Sequence, residues 1–113
     1  MLAGVATEYQ APEELLTLAG ILDRFQAIVC SRDEGTFSRH LGRKILGKAG
    51  TYEECAARLG LRTGECIGID DGLSGIQAVK SLGMKAVGVA LSEDEYVLIR
   101  PECDITVRSL EEL

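Results

Sequence analysis

Two adjacent carboxylates, Asp70 and Asp71, stand between a short apolar run and a segment of helical periodicity in "CIGIDDGLSGIQAVKSLGMKAVGV" (66–89). A pair of carboxylates where a strand gives way to a helix suits a hard cation such as magnesium, which takes one or two carboxylates and completes its shell with water and phosphate oxygens. The same pair can instead open the helix, one aspartate capping its N-terminal amides while its neighbour stays solvated. On the pattern alone both readings stand.

Which of them applies depends on the elements around the pair. "ECIGID" (65–70) reads as a strand, 72–83 as a helix closed by Gly83, and 85–90 as a second strand. The same alternation runs upstream. Residues 2–6 form a short apolar run. Leu15, Leu18 and Leu22 share one helical face over 11–22, with Pro12, Glu13 and Glu14 suited to its N-terminus. "FQAIVC" (25–30) is a compact strand, and 31–50 is a long, partly helical connection that carries five of the twelve Lys and Arg residues. Thr51, with Glu53 and Glu54 behind it, predicts an N-cap and first turn for a helix over 51–61 that ends at Gly60. The tail predicts a polar turn, a short helix, a last strand near 103–107 and a helical end. Strands alternating with helices predict a Rossmann-like α/β fold, a parallel sheet with helices on both faces. Ligands of such sheets sit where strands end, which is where Asp70 and Asp71 fall. With no repeat, low-complexity tract or linker, residues 1–113 read as a single domain.

Composition narrows the partners. A net charge of −6 over 113 residues argues against nucleic acid and against a membrane surface, since both are polyanionic and reward a basic patch. A small phosphorylated ligand is still compatible, because a few local donors can outweigh net charge. No apolar run approaches the roughly 18 residues that span a bilayer, and no basic-then-apolar leader opens the chain, so the expected location is cytoplasmic. Cys30, Cys55, Cys66 and Cys103 show no Cys-x-x-Cys spacing and one histidine accompanies them; they read as buried, reduced side chains.

Several ordered blocks together resemble the haloacid dehalogenase-like (HAD) phosphatases, in the branch that contains β-phosphoglucomutase. "ILDRFQAIV" (21–29) is similar to the stretch before that branch's third block, and "GKAGTYEECAARLGL" (47–61) to its lysine block. Residues 66–89 resemble its acidic block, and "DITVRSLEEL" (104–113) its last strand and helix. The resemblance implies four site residues. Thr7 falls where a Ser or Thr hydrogen-bonds the transferring phosphoryl group. Lys48 falls on the lysine that neutralises phosphate charge and holds the nucleophile, with Ala49 following it where the family usually has proline. Asp70 and Asp71 fall on the acidic pair, of which one reaches magnesium and the other orients the lysine or a water; Lys48 and Asp71 carry the catalytic roles. Read locally, Thr7 is equally a helix N-cap and Lys48 a solvated loop charge.

The family's first block, a strand followed by Asp-x-Asp-Gly-Thr, supplies the phosphorylated aspartate, and it does not occur in these 113 residues. Its one look-alike, "SRDEGTF" (31–37), places Arg32 at the nucleophile position, where a carboxylate is required. The strand of that block lies centrally in the family's sheet, between the strand ending at Thr7 and the strand ending at Asp70. The expectation is therefore the C-terminal part of a HAD-like phosphatase or phosphomutase, holding the phosphate- and magnesium-binding half of the site and inactive alone. The alternative is a non-catalytic phosphate- and magnesium-binding or regulatory module. In either case the vacated sheet position calls for a homo-oligomer or a complementing chain.

Overall fold

The computed structural model describes residues 2–7, 13, 14, 17, 20 and 22–109, without the side chains of Leu22 and Ser31. They form two compact units, Met1–Arg62 and Thr63–Leu113.

In the first unit, β1 (Gly4–Thr7) and β2 (Ala27–Cys30) pair in parallel, Gly4 opposite Ala27 and Thr7 opposite Cys30. Of the helix predicted over 11–22, Glu13, Glu14 and Thr17 are described and are helical, and the Thr17 hydroxyl donates to the Glu13 carbonyl at 2.7 Å. Pro12, Leu15 and Leu18 lie outside the described residues.

The connection after β2 is partly helical, as expected, and also holds two strands that were not. A 3-10 turn, Ser31–Asp33, leads into an antiparallel hairpin of β3 (Phe37–Ser38) and β4 (Arg43–Lys44). Two glycines in the left-handed region allow the reversals, Gly35 at φ 80° and Gly42 at φ 71°. Ile45 ties the hairpin back, donating to the Thr36 carbonyl at 2.9 Å and accepting from Gly35 at 2.7 Å, and its side chain is fully buried.

Helix α1 (Gly47–Arg58) then begins four residues before the predicted N-cap. Thr51 is buried inside it, its hydroxyl donating to the Lys48 carbonyl at 2.8 Å, so the hydroxyl that marked a cap is satisfied within the helix. The cap position belongs to Leu46, which has no acceptor to offer. The C-terminus follows prediction: Gly60 adopts φ 74°, the Gly60 amide donates to Ala57 and the Leu61 amide to Ala56, a Schellman closure. Ala27, Val29 and Cys55 form this unit's core cluster, with Ala6 and Leu59 packed against it.

In the second unit, β5 (Ile67–Asp70), β6 (Lys85–Val89) and β7 (Ile105–Val107) form a parallel sheet in sequence order. Helix α2 (Leu73–Ser81) joins the first pair and α3 (Glu93–Ile99) lies in the second connection. Gly68 pairs with Ala86 and Gly88 with Thr106, so these small residues share one face, and both helices use it. A Cβ on Gly68 would stand 2.5 Å from Val79 of α2, and one on Gly88 2.8 Å from Ile99 of α3. The opposite face carries Ile69, Val87 and Ile105 side by side, with Ile67 one step along. Helix α3 opens on Ser92, whose hydroxyl accepts from the Glu95 amide at 3.2 Å, while Glu95 accepts from the Leu91 amide at 2.9 Å. Asp104 accepts from the Ala86 amide at 2.8 Å, and that bond, with the Lys80 ammonium beside it, holds its carboxyl below the usual range.

The α/β class and the parallel pairing expected from the sequence are those of the structure.

Candidate functional site

Thr7 is the last residue of β1 and half-buried; Lys48 is the second residue of α1 and half-buried. The packing of α1 on β1 fixes how these two ends relate. A Cβ on Gly4, at the start of β1, would stand 2.4 Å from Cys55 Sγ, in the C-terminal half of α1, and 3.3 Å from Leu59, its C-cap, and the Cys55 thiol donates to the Val5 carbonyl at 3.6 Å. The helix therefore runs antiparallel to the strand. Strand and helix progress toward opposite ends at about 3.3 and 1.5 Å per residue, so the end of β1 and the first turn of α1 lie at the same edge of the unit. Lys48 sits in a helix turn with no acidic residue. A cation at the positive end of a helix is locally unfavourable. Lys48 stands on a helix and not in the loop of the local reading.

In the second unit, Asp70 ends β5 and Asp71 follows it, the first half-buried and the second exposed. Asp70 Oδ1 accepts from the Gly72 amide at 2.9 Å. Gly72 is the N-cap of α2 and has no side chain to cap with, so Asp70 supplies an acceptor from two residues back. A Cβ on Gly75 would come within 2.1 Å of the Asp70 carboxyl carbon and of Oδ2, so the carboxylate lies in room that exists only because residue 75 has no side chain. The helix-opening role and a place at a strand end are therefore both real for Asp70. Among the described residues, no group of three or more His, Cys, Asp or Glu side chains gathers as a metal centre. Two carboxylates in succession, one held rigidly, fit the donor set that magnesium shares with water and phosphate oxygens.

Residues 31–37 are committed to structure. Arg32 pairs with Glu13, Asp33 Oδ2 accepts from the Cys30 amide at 2.9 Å, and the Thr36 hydroxyl donates to the Asp33 carbonyl at 2.6 Å.

A second polar constellation was not foreseen. Glu54, expected in a first turn, is mid-helix and 2% exposed. Its oxygens accept from the Ser38 hydroxyl and from Arg58 Nε at 3.2 Å, and lie 3.2 Å from His40 Nδ1. Burial pushes its carboxyl up, but Ser38, Arg58 and His40 together outweigh burial and hold it below the ordinary range. The available signal was the Glu54–Arg58 spacing, an i,i+4 pair on one helix face.

No protein-family model matches the chain. It is 31% identical over 114 residues to β-phosphoglucomutase of Bacillus subtilis (strain 168), a match covering 96% of this chain and 46% of that protein. Among solved structures it is similar to β-phosphoglucomutase from Clostridium difficile, with a TM-score of 0.78 and 23% identity, over 100% of this chain and 45% of that one. It is also similar to a HAD phosphatase from Thermococcus onnurineus, with a TM-score of 0.79 and 25% identity, over 98% of this chain and 47% of that one. In sequence and fold the chain is thus similar to the haloacid dehalogenase-like phosphatases, and what it matches is their C-terminal part. Within that class the relative it matches in sequence is a β-phosphoglucomutase, and the chain spans about half that protein's length.

Proposed function

We propose that this chain carries the phosphate- and magnesium-binding half of a HAD-type phosphoryl-transfer site. Thr7 donates a hydrogen bond to a phosphoryl oxygen, and Lys48 offsets phosphate charge. Asp70 and Asp71 would hold magnesium, with Asp71 also orienting a water. Magnesium, when bound, polarises a phosphoryl oxygen and screens its charge. The observation that carries this reading is the seat of Asp70: a carboxylate fixed at the end of a parallel strand by the Gly72 amide, in space that Gly75 leaves open.

The nucleophile of this chemistry is a carboxylate in Asp-x-Asp-Gly-Thr, a motif absent from these 113 residues. The chain alone therefore binds without turning over. On magnesium and a generic phosphate ester, no release of phosphate is expected. Turnover that Asp70→Asn abolishes would refute the half-site reading and require a nucleophile among the residues present.

A second reading, a non-catalytic module that oligomerises or pairs with another chain, is favoured by one observation. Ile67, Ile69 and Ile105, on the sheet face that α2 and α3 leave uncovered, are all exposed. A small phosphorylated molecule is the proposed ligand in both readings.

A further inference from the structure

We infer that the cavity beside the β3–β4 hairpin and α1 binds a small organic dianion, a phosphomonoester carried on a planar apolar group. The cavity encloses about 320 Å3, and Phe37, Arg39, His40, Ile45, Glu54 and Arg58 are among its lining residues. None of the four residues assigned to the phosphoryl-transfer half-site lines it.

Two guanidinium groups and an imidazole face a single carboxylate there, so the lining is positive in a chain whose net charge is −6. The carboxylate does not oppose an anion, because Glu54 is buried and both its oxygens are engaged by Ser38, His40 and Arg58. What Glu54 does is fix its neighbours. Arg58 gives Nε–H to Glu54 and Nη1 to the Ile28 carbonyl at 3.0 Å, which leaves three of its five N–H donors without a partner among the described residues. His40 turns Nδ1 to Glu54, which leaves Nε2 for a ligand. Arg39 makes no ion pair or hydrogen bond among the described residues. Three nitrogen-bearing groups, two of them guanidinium forks, match the three terminal oxygens of a phosphomonoester.

The remainder of the lining is apolar. Phe37 is 70% exposed in a chain with only five aromatic residues, and Ile45 also lines the cavity. An exposed ring in a cavity that Arg39 and Arg58 also line offers a stacking surface for a planar group attached to the phosphate.

The test is calorimetric titration of the full chain carrying Lys48→Ala, without magnesium, so that anion binding at the half-site does not contribute. Phenyl phosphate is expected to bind more tightly than inorganic phosphate. Adding Arg39→Ala should weaken both ligands about tenfold, and adding Phe37→Ala should weaken phenyl phosphate alone. Both substitutions replace exposed hairpin side chains, and circular dichroism verifies that each variant is folded. Absence of binding, equal affinity for the two ligands, or unchanged affinity in folded Arg39→Ala would overturn the inference.

Discussion

Gly75→Ala isolates the feature on which the candidate site rests. In an ordinary helix interior the substitution would stabilise by about 0.5–1 kcal/mol, because glycine loses more backbone entropy than alanine on folding. At this position the new Cβ would stand 2.1 Å from the Asp70 carboxyl carbon and Oδ2 and 2.3 Å from Oδ1, distances that no van der Waals contact allows. Asp70 must rotate away, which breaks its 2.9 Å bond to the Gly72 amide and leaves α2 without that acceptor. A hydrogen bond to a charged group contributes about 1.5–3 kcal/mol, so after the helix-propensity gain the net loss is about 0.5–2.5 kcal/mol. Urea unfolding followed by circular dichroism reads this directly. In an Asp70→Ala background the obstruction is absent, and the same substitution should become neutral or stabilising. A Gly75→Ala protein as stable as the parent, or one whose cost is unchanged by Asp70→Ala, would refute the reasoning.

The buried carboxylate gives a pH signature. Glu54 is held below its ordinary value of 4.5, so its contribution is complete above about pH 4.5 and is lost as pH falls through the lower folded value. Glu54→Gln should cost about 1–3 kcal/mol at pH 7 and flatten the fall in urea midpoint as pH drops below the ordinary carboxylate value; parallel profiles for the two proteins would contradict this. In the second unit, Gly68→Ala should destabilise by about 1–3 kcal/mol through its 2.5 Å approach to Val79, and pairing it with Val79→Ala should cost less than the sum of the two. Additive costs would mean the contact is relieved elsewhere.

Where local periodicity and glycine punctuation agree, the sequence was legible. The strands 25–30, 65–70 and 85–90 and the helix ends at Gly60 and Gly83 follow from short apolar runs and from glycine's access to positive φ, and all appear within a residue or two. The connection 31–50 is helical at its two ends, as its partly helical reading has it, but the hairpin between them went unread because its pattern is set by tertiary contacts. Four hairpin residues are held by reversals at Gly35 and Gly42 and by burial of Ile45, which no short-range period encodes. Thr51 carried a helix-start signature that an intrahelical bond to Lys48 also satisfies, and this displaced the start of α1. The acidic pair was visible as two carboxylates after a strand. The reason residue 75 is glycine became visible only with the position of the Asp70 carboxylate. The burial of Glu54 was not legible because its partners, Ser38 and His40, come from a hairpin that the sequence did not announce.

The central claim is that Lys48 and Asp70 contribute to one phosphate- and magnesium-dependent function. It is tested most directly by titrating inorganic phosphate into the full chain with and without magnesium, alongside Lys48→Ala and Asp70→Asn. The account predicts a magnesium-dependent component of binding that each substitution weakens about tenfold while the urea midpoint of Lys48→Ala stays near the parent's. Phosphate binding that ignores magnesium and is unchanged in both variants would contradict it.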